Sequence, residues 1–178
     1  MPVLTAHQSQ VLIVDMQTGL LPAIADGQAL LDRAGKLAQA ARLLGVPVLA
    51  TEHWADKIGP TDPALAPHVD QVLHKKHFDA TREADFLPAL AVGRPRVLLL
   101  GTEAHICVLQ TGLGLKERGY EPVLVGDCVG SRRLEDRQAA WDRWACHGLE
   151  RITAEMAMFE WLEIPSNPAF KQVLALIK

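Results

Sequence analysis

The sequence predicts a three-layer α/β/α domain, a mostly parallel sheet of five to six strands with helices on both faces. Short runs rich in branched apolar residues recur along the chain, and segments with helical spacing of apolar residues lie between them. The alternation continues on both sides of the one long irregular segment, DKIGPTDPALAP (56–67), so that segment is a loop and not a linker between domains. Strands buried on both faces read as continuous apolar runs, and parallel strands need crossovers, usually helical. The 178 residues therefore form one Rossmann-like domain, 1–178, long enough to bury a substantial core.

The first strand is VLIVDM (11–16) and the second PVLATE (47–52). Between them, Leu30, Ala34, Leu37, Ala41 and Leu44 recur at steps of three and four, giving a helix one apolar stripe, and Gly45 stops it. DQVLHKK (70–76) is a shorter, weaker strand. RVLLLG (96–101) is the fourth, followed by a helix in AHICVLQTGLGLKERG, where Lys116 and Arg118 suit the negative end of the helix dipole before Gly119. PVLVGD (122–127) is the fifth strand, and EDRQAAWDRWACHG is a helix closed by His147 and Gly148. A last strand is read around ERIT, and NPAFKQVLALIK forms a terminal helix begun at Asn167 with Pro168 behind it.

Composition narrows the function classes. Hydrophobic residues make up 49% and charged residues 22%, the balance of a globular chain. A formal net charge of -3 gives no basic footprint for nucleic acid or for an anionic membrane surface. No apolar run approaches the roughly 20 residues of a membrane span. The start, MPVLTAHQSQ, lacks the basic and apolar segments of a secretory signal, and three cysteines, Cys107, Cys128 and Cys146, form no disulfide framework. A cytoplasmic location follows as the expectation.

In an open α/β sheet, ligands bind beyond the carboxyl ends of the strands. Asp15 ends the first run, Glu52 and His53 leave the second, Lys75 and His77 leave the third, Thr102 to Cys107 follow the fourth, and Asp127 closes the fifth. Taken singly, these are a turn-forming Asp, a solvated Lys and a core thiol. Together they suit nucleophilic catalysis. A thiol attacks as thiolate, which a helix N-terminus and a cation such as Lys75 favour, while Asp15 accepts the proton and later returns it to a leaving group. The seven histidines do not fall at the tight spacing of a structural zinc site, so no metal and no cofactor is expected. Cys128 and Cys146 read as packed thiols. Trp141 and Trp144 share a helix face that suits either the core or a subunit contact, and Arg132 is a candidate holder of an anionic group.

At these residues the sequence resembles the isochorismatase-like cysteine hydrolases, which include the nicotinamidases, in particular their small single-domain members. LIVDMQ matches the family's strand-end aspartate, KKHFDA its Lys-x-x-aromatic-small pattern, which selects Lys75, and GTEAHICV its Gly-x-x-[Thr/Ala]-x-x-Cys-Val. The resemblance extends from about residue 8 to the C-terminus. It implies a catalytic triad of Asp15, Lys75 and Cys107 and a covalent intermediate on Cys107. It further implies a cis peptide at Thr102–Glu103 and an oxyanion hole from the backbone N–H groups of Glu103 and Cys107. Gln17, His53, Trp54, Phe78 and His105 are candidates for the substrate pocket. The cysteine argues for C–N cleavage in a small amide rather than for vinyl-ether hydrolysis. Where nicotinamidases carry an Asp-x-His metal pair, this chain has His53 and Ala55, and Asp79 stands where serine is usual, either pairing with Lys75 or, the favoured reading, facing solvent. A small-molecule substrate and a homo-oligomer are expected; the rival readings are a catalytically silent binding or scaffold member and a thiol redox protein using Cys107.

Overall fold

A computed structural model describes residues 3–178. Among them, six strands form one sheet: β1 (Ser9–Val14), β2 (Val48–His53), β3 (Gln71–Lys75), β4 (Arg96–Thr102), β5 (Glu121–Gly130) and β6 (Glu150–Ile152). Their order is β3-β2-β1-β4-β5-β6 and every pairing is parallel. The seven α-helices are α1 (Gly27–Leu43), α2 (Ala55–Ile58), α3 (Phe86–Ala89), α4 (Leu109–Glu117), α5 (Leu134–Cys146), α6 (Ala154–Leu162) and α7 (Phe170–Ile177).

The period-two alternation of the strands divides the core into two layers. Val11 and Ile13 of β1, with Leu98 and Leu100 of β4, pack with α1, α6 and α7. Leu12 and Val14, with Val97 and Leu99, pack with α3, α4 and α5 on the other face. Chain order reverses between β1 and β4, which opens the crevice where such sheets bind ligands. There Gly101 takes φ 125, and a Cβ would overlap the Val14 carbonyl, so only glycine lets the two strands approach.

Several elements differ from the sequence reading: α2 starts the segment read as a loop, α3 had no counterpart, and α7 begins at Phe170 instead of Asn167. β5 continues past Asp127 to Gly130: between the Leu99↔Leu124 and Gly101↔Val129 pairings the strand bulges. The Asp127 carboxylate then accepts the Ala154 N–H at 2.8 Å at the start of α6, so Asp127 belongs to the packing of that helix. Helix α6 was not anticipated. Its buried stripe of Ala154, Ala157, Met158, Trp161 and Leu162 has helical spacing, but Met156 and Phe159 on the exposed side blur the contrast between the two faces.

Candidate active site

Asp15, His53 and Lys75 stand at or just beyond the carboxyl ends of β1, β2 and β3, and the turn carrying Cys107 follows β4. Asp15 takes φ 49, a conformation aspartate tolerates better than most residues, as the chain leaves β1. Its carboxylate is fully buried. Oδ1 accepts from the Thr51 hydroxyl at 2.7 Å, and Oδ2 lies 2.7 Å from Lys75 Nζ. The ammonium also donates to the His77 carbonyl at 3.3 Å, and its side chain is 1% exposed. Cys107, 6% exposed, sits in a π-type turn (Ala104–Val108) that leads into α4, and both the Asp15 and the Lys75 charge act on its thiol. Sulfur, carboxylate and ammonium thus meet at the topological switch.

The thiol is not the ready thiolate expected from a helix start beside a cation. Burial, and after it the negative charge of Asp15, push its pKa up to about 12, and the Lys75 charge offsets only part of that. The resting site holds a neutral thiol against a buried ion pair. A carboxylate next to a neutral thiol is arranged to take its proton when an electrophile arrives.

The Thr102–Glu103 peptide is cis, and the Thr102 hydroxyl donates to the Asp15 carbonyl at 2.7 Å, tying the β4 turn to the end of β1. Glu103 is held in turn by Arg132, whose backbone N–H and Nε reach its Oε2 at 3.0 and 3.1 Å. Arg132 therefore serves the turn instead of holding a separate anion. His105 Nδ1 lies 3.0 Å from the Ser131 hydroxyl.

Among the pocket candidates, Gln17 is spent on the backbone: its amide donates to the His53 and Gly59 carbonyls and accepts from the His53 N–H. His53 packs at a tilt on Phe78 with centroids 5.3 Å apart, and its Nδ1 is buried without a partner among the described residues. Trp54, at φ 45, carries Lys57 and Lys76 over its ring. Asp79 is half-buried; it accepts from Thr81 N and Thr81 Oγ1 and caps the turn at 80–82.

Sequence reasoning passed over Thr51, whose signal was a hydroxyl inside the buried run VLATE. It also placed Cys146 among packed thiols, whereas the end of α5 leaves it exposed. Trp144 is buried and donates to the Glu150 carbonyl, while Trp141 lies between Arg137 and Arg151. Cys107 and Cys128 pack on opposite faces of the sheet. The residues do not fit a nicotinamidase-type metal. Ala55 offers no donor, Glu52 Oε1 is taken by Thr61, and among the described residues no group of three or more His, Cys, Asp and Glu is disposed to hold an ion. No described helix is long and apolar enough to cross a membrane.

The profile of the Isochorismatase domain matches residues 9–156. The chain is 31% identical over 188 residues to the secreted isochorismatase effector Isc1 of Phytophthora sojae, covering 98% of this chain and 87% of that protein. Its fold superposes on the MAR1 ribonuclease of Caenorhabditis elegans with a TM-score of 0.93 and 28% identity, over 99% of this chain and 92% of the other. YcaC from Pseudomonas aeruginosa, solved with hexane-2,5-diol and covalent acrylamide, gives a TM-score of 0.91 at 25% identity, over 98% and 91%.

Proposed function

The chain belongs to the isochorismatase family and has its hydrolase fold, and on that premise we propose that it is a cysteine-dependent hydrolase of a small amide or related C–N bond. The observation that carries the proposal is the buried Asp15–Lys75 pair, 2.7 Å apart at the sheet edge, with both of its charges acting on the buried Cys107 thiol. In the first half-reaction the Cys107 sulfur adds to the substrate carbonyl as Asp15 takes the thiol proton. Lys75 favours the thiolate character that the sulfur gains as its proton passes to Asp15. The N–H groups of Glu103 and Cys107 receive the oxyanion, where a single donor is worth about 2.7–4 kcal/mol. Collapse breaks the C–N bond, Asp15 returns its proton to the leaving nitrogen, and water then hydrolyses the thioester. His53, Trp54, Phe78 and His105 border the substrate.

A silent scaffold has no use for such a site. A buried ion pair contributes little to stability that apolar residues would not supply. A redox sensor needs an accessible, low-pKa thiol and a resolving partner, and Cys107 is protonated with Cys128 across the sheet. The covalent acrylamide on the Pseudomonas aeruginosa relative is consistent with a nucleophile in this fold. We place the protein in the cytoplasm on its three free cysteines, one of them exposed. We also propose that it self-associates, since exposed Trp54, Val72 and Phe78 lie on and beside the edge strand β3.

The test is ammonia release from a panel of small amides, with nicotinamide, ureido and carbamoyl compounds, by wild type and Cys107→Ala. Release that depends on Cys107, with an acyl adduct on it, supports the proposal. Absence of turnover and adduct across the panel overturns it.

A further inference from the structure

Resting on the hydrolase reading above, we propose that His53 is the general base of the second half-reaction, taking a proton from the water that hydrolyses the Cys107 thioester. His53 ends β2 and pairs in register with Lys75 of β3. Leu49, Thr51 and His53 alternate onto one face, the face on which Leu49 packs in the same cluster as Cys107 and Thr51 holds Asp15. The backbone of His53 is fixed from both sides by the Gln17 amide, at 2.8 Å on its N–H and 3.1 Å on its carbonyl. The ring rests on Phe78.

Its fold-making contacts are therefore made by backbone and ring face, while Nδ1 is buried and bonds to no protein group among the described residues. A buried ring nitrogen of that kind is satisfied by water or by a substrate group. The charges acting on it are Lys75 from β3, Asp15 from the end of β1 and Glu83 from the turn after β3. Burial and the Lys75 cation outweigh the two carboxylates and hold the imidazole below its ordinary 6.5, so it is neutral and able to accept a proton at physiological pH.

The step balances. Water oxygen adds to the thioester carbonyl as one water proton passes to His53. Collapse breaks the C–S bond and expels the Cys107 thiolate, and the His53 proton goes to that thiolate, restoring the neutral thiol and releasing the acid.

The probe is 4-nitrophenyl acetate with the full-length protein, following the nitrophenol burst for acylation and the steady state for deacylation. Wild type should show both, with the acetyl group on Cys107. His53→Ala and His53→Asn should keep the burst, lose about a hundred- to ten-thousand-fold in steady-state rate, and accumulate acetyl-Cys107. Added imidazole should rescue the alanine variant. Wild-type deacylation should fall as pH drops through a value under 6.5, a dependence absent in His53→Asn. An intact burst shows that each variant is folded. Wild-type deacylation rates in both variants at every pH overturn the assignment and leave the hydrolase reading standing; loss of the burst in both also overturns it. A burst that survives Cys107→Ala, or wild type without an adduct, sinks the hydrolase reading and the assignment with it.

Discussion

Asp15→Asn removes the carboxylate that helps hold the Cys107 proton in place while keeping the size of the side chain and an oxygen for the Thr51 hydroxyl. In the wild type the thiol titrates at about 12, so under 1% is thiolate below about pH 10. An elementary charge about 4 Å away is worth about 4 kcal/mol at an effective dielectric of about 20. At about 1.36 kcal/mol per pH unit that is an upper bound of about three pH units, and because burial, the largest cause, stays in place, the midpoint should settle between the ordinary 9.0 and about 12. The unopposed Lys75 cation acts in the same direction as the loss of Asp15. The assay is thiolate ultraviolet absorbance against pH, with the Cys107→Ala spectrum subtracted to remove Cys128 and Cys146. Ammonia release from any amide that the wild type cleaves should fall at the same time, because the proton acceptor is gone. Breaking one side of a buried pair costs about 3–5 kcal/mol, so a urea melt accompanies the titration. A midpoint still near 12 in the folded variant refutes the coupling, and undiminished amide turnover refutes the role of Asp15 as acceptor.

Other perturbations probe the frame around this pair. Thr51→Val strips the donor from Asp15 Oδ1 and should cost about 1–3 kcal/mol in urea unfolding, with reduced amide turnover. Gly112→Ala would drive a methyl into the ring of Trp144, so α4 and α5 must separate, at about 1–3 kcal/mol by the same measurement. Glu83 takes the Lys76 and His77 N–H groups, which hold its pKa near about 2 against an ordinary 4.5. A depressed carboxylate stabilises the fold above its unfolded pKa and loses that contribution as pH falls. Wild-type stability should accordingly decline from pH 4.5 toward about 2, and Glu83→Ala should show a flatter decline in urea melts over that window.

The strand runs were legible because a strand covered on both faces must be apolar throughout, and VLIVDM and RVLLLG are. Helix α1 was legible because one face of it meets solvent, which imprints a stripe on the letters. Helix α6 was harder to read: Met156 and Phe159, turned outward, erase the contrast that a stripe needs. At the site, Asp15, Lys75 and Cys107 could be nominated from strand ends and from motif spacing. The structural duties of Gln17, Asp79 and Arg132 could not, since each is settled by a partner distant in the chain or by local cap geometry.

The sequence by itself determined which side chains stand at the carboxyl edge of the sheet, since alternation and strand length follow from local order. Only the tertiary structure decided their protonation and company. Whether Cys107 rests as thiol or thiolate depends on how much water burial excludes and on the balance of Asp15 against Lys75. That balance falls steeply with distance between residues far apart in the chain, and no stretch of sequence encodes it.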